Sequence, residues 1–349
     1  MIPKIVRRGL PLLPLALLAG CNTVVMNPTG DIARQQADLI TVSVLLMLII
    51  VVPVMILIVL FAWRYRKNAN AKYEPDWDHS TKLELVIWGA PLLIIIVLGL
   101  ITWVSTHKLD PYRPLDRIDA NRPISASTKP MEVQVVALDW KWLFIYPEQG
   151  IASVNQLVTP IDTPIRFKIT ASTVMNAFYI PTLAGMIYAM PSMETTLNAV
   201  LNKTGDYEGR STNFSGEGFS HMKFGYKGVT AAEFDAWVAT MKATPGALDR
   251  AGYIELEKPT SREPVRHYGS VEPTLFNRIL NRCVADGTVC MNQQMLDDHK
   301  RAQVAAAIKQ LPKSGAAQVA GLEVCTTPTD ASLTPGASTP GASNMTVKK

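Results

Sequence analysis

Two long apolar runs stand out in the first third of the chain. Leu39–Trp63 and Leu85–Thr106 contain no charged residue. At a rise of 1.5 Å per residue, either run is long enough as a helix to cross a hydrocarbon core of about 30 Å. Pro53 and Pro91 lie inside these runs, and membrane helices tolerate proline better than soluble helices do. The pattern predicts a transmembrane hairpin over 39–106.

The charges around the hairpin predict its orientation. The connecting segment 64–84 carries five cationic side chains, which are Arg64, Arg66, Lys67, Lys72 and Lys82. The segment from Asn22 to Asp38 carries one cationic side chain, Arg34. Because Lys and Arg are retained on the cytoplasmic side, the connecting loop is expected in the cytoplasm and the chain after about His107 outside.

The hydrophobic period changes from helical to two after a proline-rich linker at 107–130. Residues 131–137 and 165–170 alternate between apolar and polar side chains, which is typical of half-buried strands. Short strands at this spacing predict a sandwich or a Greek-key barrel over 131–228. A capping-box pattern at Thr230 and Glu233 predicts a helix within 228–246, and a second helix is predicted within 273–284.

The N-terminus reads as a secretory leader over 1–20. A basic start is followed by an apolar stretch that ends in Leu18-Ala-Gly-Cys21. This ending resembles the bacterial lipoprotein box, which implies cleavage before Cys21 and lipidation of its thiol. An uncleaved leader with an ordinary buried cysteine is the alternative. Residues 21–38 would then form a short outer segment. The far C-terminus, 314–349, is mostly Ala, Thr, Ser, Gly and Pro, and predicts a disordered tail.

Composition and motifs exclude several function classes. The 349-residue chain is 48% hydrophobic and carries a formal charge of +5, of which three positive charges belong to the leader. The remaining charge is too small to favour nucleic acid, and there is no basic cluster with interleaved aromatic residues. No phosphate-binding loop, His-Glu-x-x-His motif or dinucleotide fingerprint occurs, and the five histidines are scattered.

The most informative stretch is the turn-rich loop 211–222, Ser-Thr-Asn-Phe-Ser-Gly-Glu-Gly-Phe-Ser-His-Met. Its spacing resembles the copper loop of subunit II of the haem–copper respiratory oxidases, Cys-x-x-x-Cys-x-x-x-His-x-x-Met. The corresponding positions here are Ser211, Ser215, Phe219 and Met222. The family's other histidine position, before an x-Phe-x-x-Pro run, is occupied by Asn176.

The donor chemistry at these five positions does not suit copper. A dinuclear copper centre needs soft thiolates and imidazoles, whereas hydroxyls, an amide and a phenyl ring leave one weak thioether. His221 lies two residues past the histidine position and would share its side on a strand. Copper binding through His221 is the minor alternative to a surface or hydrogen-bonded histidine.

A loop that keeps the copper-loop spacing but lacks the copper ligands resembles subunit II of the bo-type ubiquinol oxidases. The resemblance extends over about 18–285 and implies a cupredoxin-like sandwich outside the membrane. It also implies that the chain carries no redox cofactor, and that haem b, haem o, copper and the quinol chemistry belong to subunit I. The expected fold is an α+β membrane protein: a transmembrane hairpin, a periplasmic cupredoxin-like sandwich and a C-terminal helical region, 229–313.

Two further segments indicate whether cytochrome c is the electron donor. In copper-bearing relatives, an aromatic run like 138–150 meets cytochrome c, but here it has no copper to serve. Trp140, Trp142 and Tyr146 are therefore interpreted as structural, with contact to subunit I as the alternative. Residues 177–200 contain one charged side chain, Glu194, where a partner of cytochrome c would present several carboxylates.

Glu84 and one cysteine pair complete the candidate residues. The resemblance implies that Glu84 lies at the cytoplasmic mouth of a proton channel of subunit I; a helix-start carboxylate favoured by the helix dipole is the alternative. Cys283 and Cys290 lie in an inferred oxidising compartment, which favours a disulfide, with unbonded cysteines as the alternative.

The resemblance thus implies subunit II of a proton-pumping ubiquinol oxidase in a bacterial inner membrane. Its expected partners are subunit I, the other oxidase subunits and membrane lipid, with ubiquinol reached through the complex and no cytochrome c. The rivals are a cytochrome c oxidase subunit II and a membrane-anchored scaffold lipoprotein outside respiration.

Overall fold

A computed structural model describes residues 23–67, 76–125 and 127–310. The predicted leader, Cys21 and the predicted tail lie outside these residues. The described helices are α1 Asp31–Arg64, α2 Thr81–Lys108, α3 Ala231–Ala243, α4 Arg250–Glu257, α5 Leu275–Leu280 and α6 Met291–Gln310. The strands are β1 Arg117–Asp119, β2 Arg122–Pro123, β3 Met131–Leu138, β4 Lys141–Tyr146, β5 Ile151–Val154, β6 Gln156–Pro160, β7 Pro164–Ala171, β8 Asn176–Tyr179, β9 Ile187–Ala189, β10 Thr195–Val200, β11 Gly205–Ser211, β12 Lys223–Val229, β13 Ala247–Leu248, β14 Arg266–Tyr268 and β15 Ser270–Val271.

The first two helices are long and apolar enough to cross a membrane. Helix α1 begins at Asp31, eight residues before the apolar run that predicted it. The extra turns are helical because they pack on the sandwich: Ala33 and Ala37 are buried, and the Ala33 amide donates to the Leu183 carbonyl at 3.3 Å. Gly30 permits this approach, since a Cβ there would lie 2.6 Å from the Leu183 oxygen.

Two sheets form the sandwich. One has six strands in the order β10-β7-β3-β4-β5-β14, and the other has five in the order β6-β12-β11-β8-β9. Their facing sides share one core, in which the Phe178 and Phe224 rings stack 5.5 Å apart and Trp142 meets Phe178 edge-on at 5.4 Å. The alternating residues of β7 place Ile165, Phe167 and Ile169 in this core, as their period of two predicts.

The six-stranded sheet is buried on its outer face as well. Leu138, Leu143 and Ile145 pack there against residues of α4 and α5 in a second core. This explains the aromatic and apolar density of β4, all of whose residues are buried. The region after the sandwich is more than helical, because β14 joins the six-stranded sheet beside β5 and β13 pairs with β15.

A lysine fastens this outer layer to the sheet. Lys141 is only 1% exposed, and its Nζ donates to the Lys258 carbonyl and to Thr260 Oγ1, both at 2.7 Å. Burial lowers the pKa of this ammonium group. The two oxygen acceptors satisfy part of its donor capacity, so a charged side chain is accommodated between the sheet and the C-terminal segment.

The predicted linker and helices differ in detail from the structure. The linker contains the β1–β2 hairpin, whose Arg122 guanidinium bonds both carboxylate oxygens of Asp162 at 2.8 and 2.9 Å. Helix α3 has the predicted capping box between Thr230 and Glu233. Helix α5 is shorter than the predicted segment, because Arg282 adopts a left-handed φ of 54° soon after its end.

Cys283 and Cys290 form a disulfide with a Cα–Cα distance of 4.8 Å. We expect the double variant Cys283→Ser/Cys290→Ser to lose about 2 kcal/mol of unfolding free energy, from the loop-closure entropy of a seven-residue separation. The melting temperature of the detergent-solubilised chain should fall by about 4–8 °C. Reductant should shift the parent chain equally and leave the variant unchanged; equal stability of oxidised parent and variant would contradict this.

Candidate functional site

The loop 211–222 joins the adjacent antiparallel strands β11 and β12. Arg210 pairs with Lys223 in the last register position before the loop. The loop then contains a short 3-10 helix, Glu217–His221, and returns to β12 after Met222. It lies at the end of the five-stranded sheet where β8 begins, so Asn176 comes next to Ser211 although 35 residues separate them.

Asn176 and Ser211 satisfy each other by hydrogen bonding. Ser211 Oγ donates to Asn176 Oδ1 at 3.2 Å and accepts from the Ala177 amide at 3.4 Å. Asn176 Nδ2 donates to the Val174 carbonyl at 3.1 Å. Both side chains are buried, at 1% and 6% exposure. This neutral hydrogen-bonded pair stands where the resemblance places a histidine and a cysteine, and it holds β8 to β11.

The other three positions are packed in different ways. Met222 is 1% exposed and belongs to the sandwich core. Phe219 meets Phe214 edge-on at 5.7 Å. Ser215 Oγ is buried and has no hydrogen-bond partner among residues 23–67, 76–125 and 127–310. The structure therefore brings Asn176 and Ser211 into contact and gives Phe219 and Met222 apolar packing roles.

Trp140 closes the loop from the neighbouring sheet. Its Nε1 donates to the Ser215 carbonyl at 3.1 Å, and its ring covers Gly218, where a Cβ would lie 2.3 Å from the indole Cδ2. Trp140 and Trp142 do not share a strand face, because Trp140 lies in the β3–β4 turn with φ of 65°. Trp142 and Tyr146 are fully buried on β4.

His221 lies beside a guanidinium group. It is exposed, and its Nε2 lies 3.2 Å from an Arg262 terminal nitrogen. In the described part of the chain, no group of three or more His, Cys, Asp or Glu side chains could hold a metal ion. A dinuclear copper centre requires thiolates and imidazoles, and the amide, hydroxyls and phenyl ring at Asn176, Ser211, Ser215 and Phe219 do not fit it.

Glu84 lies at the opposite end of the molecule, in the first turn of α2. Its Oε1 is 2.8 Å from His79 Nδ1, and His79 Nε2 lies 3.2 Å from Thr81 Oγ1. Both side chains of the pair are more than half exposed, at 61% for His79 and 51% for Glu84. Glu84 is thus an accessible carboxylate at the end of an apolar helix, held beside an imidazole.

An apolar rim surrounds the outside of the loop. It consists of side chains that are between 41% and 75% exposed, namely Val174, Met175, Met186, Tyr188 and Phe214. Thr212 Oγ1 lies 2.9 Å from Met186 Sδ, and Asn213 Nδ2 donates to the Met175 carbonyl at 2.9 Å, so three segments meet here. No sequence pattern marks Phe214, and only the fold brings its segment beside Met175 and Met186.

His267 should make the stability of the outer domain depend on pH. Its Nε2 bonds Gln156 Oε1 at 2.7 Å, and burial lowers the pKa of its imidazole below the usual 6.5. The unfolded chain therefore takes up this proton first, so the unfolding free energy should fall as pH drops below about 6.5. Denaturant titrations of the solubilised chain at pH 7 and 5 should show a smaller loss for His267→Gln. Exposed His221→Gln is the control; equal pH slopes in parent and His267→Gln would refute the prediction.

Comparison with known proteins defines the class and then the family. The family model "Cytochrome C oxidase subunit II, periplasmic domain" matches residues 131–229, and "COX Aromatic Rich Motif" matches 242–287. With two apolar helices before a cupredoxin-like sandwich, these matches define an oxidase subunit II protein.

Three curated relatives narrow that class. Cytochrome bo(3) ubiquinol oxidase subunit 2 of Pseudomonas putida is 48% identical over 78% of this chain and 84% of its own length. The protein of that name from Pseudomonas aeruginosa is 47% identical over 79% and 81%. Ubiquinol oxidase subunit 2 of Acetobacter aceti is 48% identical over 76% and 84%. The chain belongs to the family of cytochrome bo(3) ubiquinol oxidase subunit 2.

Proposed function

We propose that this chain is the subunit II of a proton-pumping ubiquinol oxidase, and that its own role is structural. The complex would oxidise ubiquinol and reduce oxygen to water. The observation that carries the proposal is the Asn176–Ser211 pair, a closed hydrogen-bonded unit inside an intact sandwich of the oxidase subunit II class. Electrons would then bypass this domain, and haem b, haem o and copper would belong to subunit I.

The apolar rim is the surface we assign to subunit I. It adjoins the membrane hairpin, because a Cβ at Gly185, next to Met186, would lie 2.8 Å from Gln36 Nε2 on α1. The edge of the rim at Met186 therefore lies beside the start of the hairpin. Exposed apolar side chains clustered in this way are typical of protein interfaces. With the hairpin beside it, the rim would brace subunit I and cover its outer surface.

Glu84 is proposed to assist proton uptake into subunit I. The loop between α1 and α2 is rich in Lys and Arg, which supports a cytoplasmic position for this end of the hairpin. Glu84 is accessible there, and the His79 imidazole lies 2.8 Å from its carboxylate as a neighbouring hydrogen-bonding group. The carboxylate would collect protons at the membrane surface and pass them to the partner subunit.

The N-terminus and the compartment complete the proposal. We infer a bacterial inner-membrane protein whose sandwich lies in the periplasm, with a thioether-linked lipid on Cys21 holding the N-terminus at the outer surface. The lipobox at 18–21 and the charge asymmetry of the loops support this arrangement without sharing a residue. Membrane lipid and the other oxidase subunits would be its partners, and cytochrome c would not.

Copurification tests the proposal against a scaffold lipoprotein outside respiration. An affinity tag on this chain should recover, from detergent-solubilised membranes, a coloured complex that contains haem and consumes oxygen with ubiquinol. Recovery of the chain alone, stable and colourless, from membranes with active oxidase would overturn it. Metabolic labelling with a fatty acid, compared between the parent and Cys21→Ser, tests the lipid anchor separately.

A further inference from the structure

A polar cavity lies where the helix hairpin meets the sandwich, and the proposed electron and proton roles do not use it. Its volume is about 210 Å³, and it lies between the start of α1, the segment after α2 and the residues around Met186. That segment is fixed in place, since Asn198 Nδ2 donates to the carbonyls of Pro111, Tyr112 and Arg113 at 3.1–3.3 Å. The volume equals that of about seven water molecules and is smaller than the sites of drug-sized ligands, so it suits a small polar group.

Most charged side chains that line the cavity form ion pairs with one another, whereas one cation and one anion of the lining are in no ion pair with a described residue. Asp31 is 3% exposed and bonded by Arg117 Nε at 2.9 Å, while Arg113 pairs with Asp116 at 2.9 Å. The two other charged residues of the lining are Lys108 and Asp110.

Neither of these two side chains forms an ion pair with another described residue. Asp110 Oδ1 accepts the Tyr112 amide at 3.0 Å, and no second donor to its carboxylate is found within 23–67, 76–125 and 127–310. The cavity mouth therefore presents separated positive and negative groups.

A groove between α1 and α2 continues from the cavity. Its volume is about 520 Å³, and it includes Leu39 from α1 and Thr102 and Thr106 from α2. Gln36, Leu109, Asp110 and Pro111 line both the groove and the cavity, so the two spaces share a wall. The groove leads from charged residues toward the apolar length of the hairpin.

The depth of the cavity matches the lipid headgroup layer. The apolar run Leu85–Thr106 is about 33 Å long as a helix, which covers the hydrocarbon core of about 30 Å. Lys108 comes two residues later, about 3 Å beyond it, and Gln36 lies about 4.5 Å above Leu39 on α1. Both fall inside the headgroup layer, which is about 5–8 Å thick on each side.

We propose that the cavity binds the headgroup of an outer-leaflet phospholipid with a primary amine, with one acyl chain in the groove. The lipid phosphate would lie at Lys108 and its ammonium group at Asp110, as charge-assisted hydrogen bonds. An anionic headgroup that has no amine would leave Asp110 without a cationic partner. A choline headgroup carries a cation but has no N–H to donate. This inference rests on the membrane hairpin of the proposed function and on neither its electron route nor its proton route.

Photolabelling of the intact complex tests the site. The complex is placed in phosphatidylcholine vesicles that contain phosphatidylethanolamine with a photoactivatable acyl chain. Labelled peptides should include residues 36–39 and 102–111. Unlabelled phosphatidylethanolamine should compete, whereas phosphatidylglycerol, added phosphatidylcholine, soluble glycerophosphoethanolamine and inorganic phosphate should not, since the groove must also be filled.

The variants Lys108→Gln and Asp110→Asn should lower this labelling by about three- to tenfold. Lys242→Gln is the matched control, because Lys242 is also exposed in the last turn of a helix and should leave labelling unchanged. Lys108→Arg keeps the cation and should retain the label, which separates headgroup binding from misassembly. Equal labelling of all variants, competition by phosphatidylcholine or label confined to other peptides would overturn the proposal. Haem content per complex, measured for each variant, checks assembly independently of lipid.

Discussion

Replacing Glu84 by alanine is expected to lower ubiquinol-driven oxygen consumption of the assembled complex by about tenfold. A positioned proton-transferring side chain typically contributes 10²–10⁴ in rate. The smaller figure is expected here because Glu84 is half exposed and water reaches the site. Proton uptake and oxygen consumption are both measured in reconstituted vesicles between pH 6 and 8.

Two variants separate a proton-transfer role from a structural role for Glu84. Glu84→Asp keeps a carboxylate and should restore most of the turnover. Glu255→Ala removes an exposed carboxylate from α4 of the outer domain, away from the apolar rim, and should leave turnover unchanged. If Glu84→Ala has unchanged turnover across this pH range, Glu84 is only a helix-start carboxylate favoured by the dipole.

Replacing Phe214 by glutamate should prevent stable association with subunit I. Phe214 is the most exposed side chain of the apolar rim, at 75%, and the proposed contact would bury it. A carboxylate buried there without a partner costs several kcal/mol, and each 1.4 kcal/mol is a factor of ten in affinity. Recovery of haem-bearing complex on the tagged chain should therefore fall by about 100-fold.

The control for this prediction places the same charge elsewhere. Val265 is 49% exposed and lies before β14, outside the apolar rim, so Val265→Glu should leave recovery of the complex unchanged. Phe214→Leu keeps an apolar side chain and should assemble. Normal recovery with Phe214→Glu would mean that another face of the domain contacts subunit I.

The sequence predicted those elements that local physics determines. The alternation of β7 and the capping box at Thr230 and Glu233 appear as expected, because side-chain period and cap chemistry act over a few residues. The start of α1 at Asp31 was missed, since its polar first turns are stabilised by the distant Leu183 carbonyl rather than by an apolar pattern. The β3–β4 turn at Trp140 was missed because an aromatic residue with positive φ has no turn signature.

The candidate site was likewise predicted only in part from the sequence. The resemblance to the family's copper positions placed Asn176 and Ser211 in one site, and the fold brings them together at 3.2 Å. Spacing could not predict that Trp140 covers Gly218, or that Lys141 is bonded to the C-terminal segment, because both contacts join residues more than 70 positions apart. The apolar rim likewise combines three segments that are distant in the sequence and that only the fold brings together.

On the proposed function, electrons do not enter the oxidase through this domain. The direct measurement is oxygen consumption by the purified complex containing this chain, with ubiquinol and with reduced cytochrome c as alternative donors. Turnover with ubiquinol alone is expected. Turnover with cytochrome c would contradict this expectation. Electrons would then enter through this domain, with His221 and Met222 contributing to the entry site despite the hydrogen-bonded Asn176–Ser211 pair.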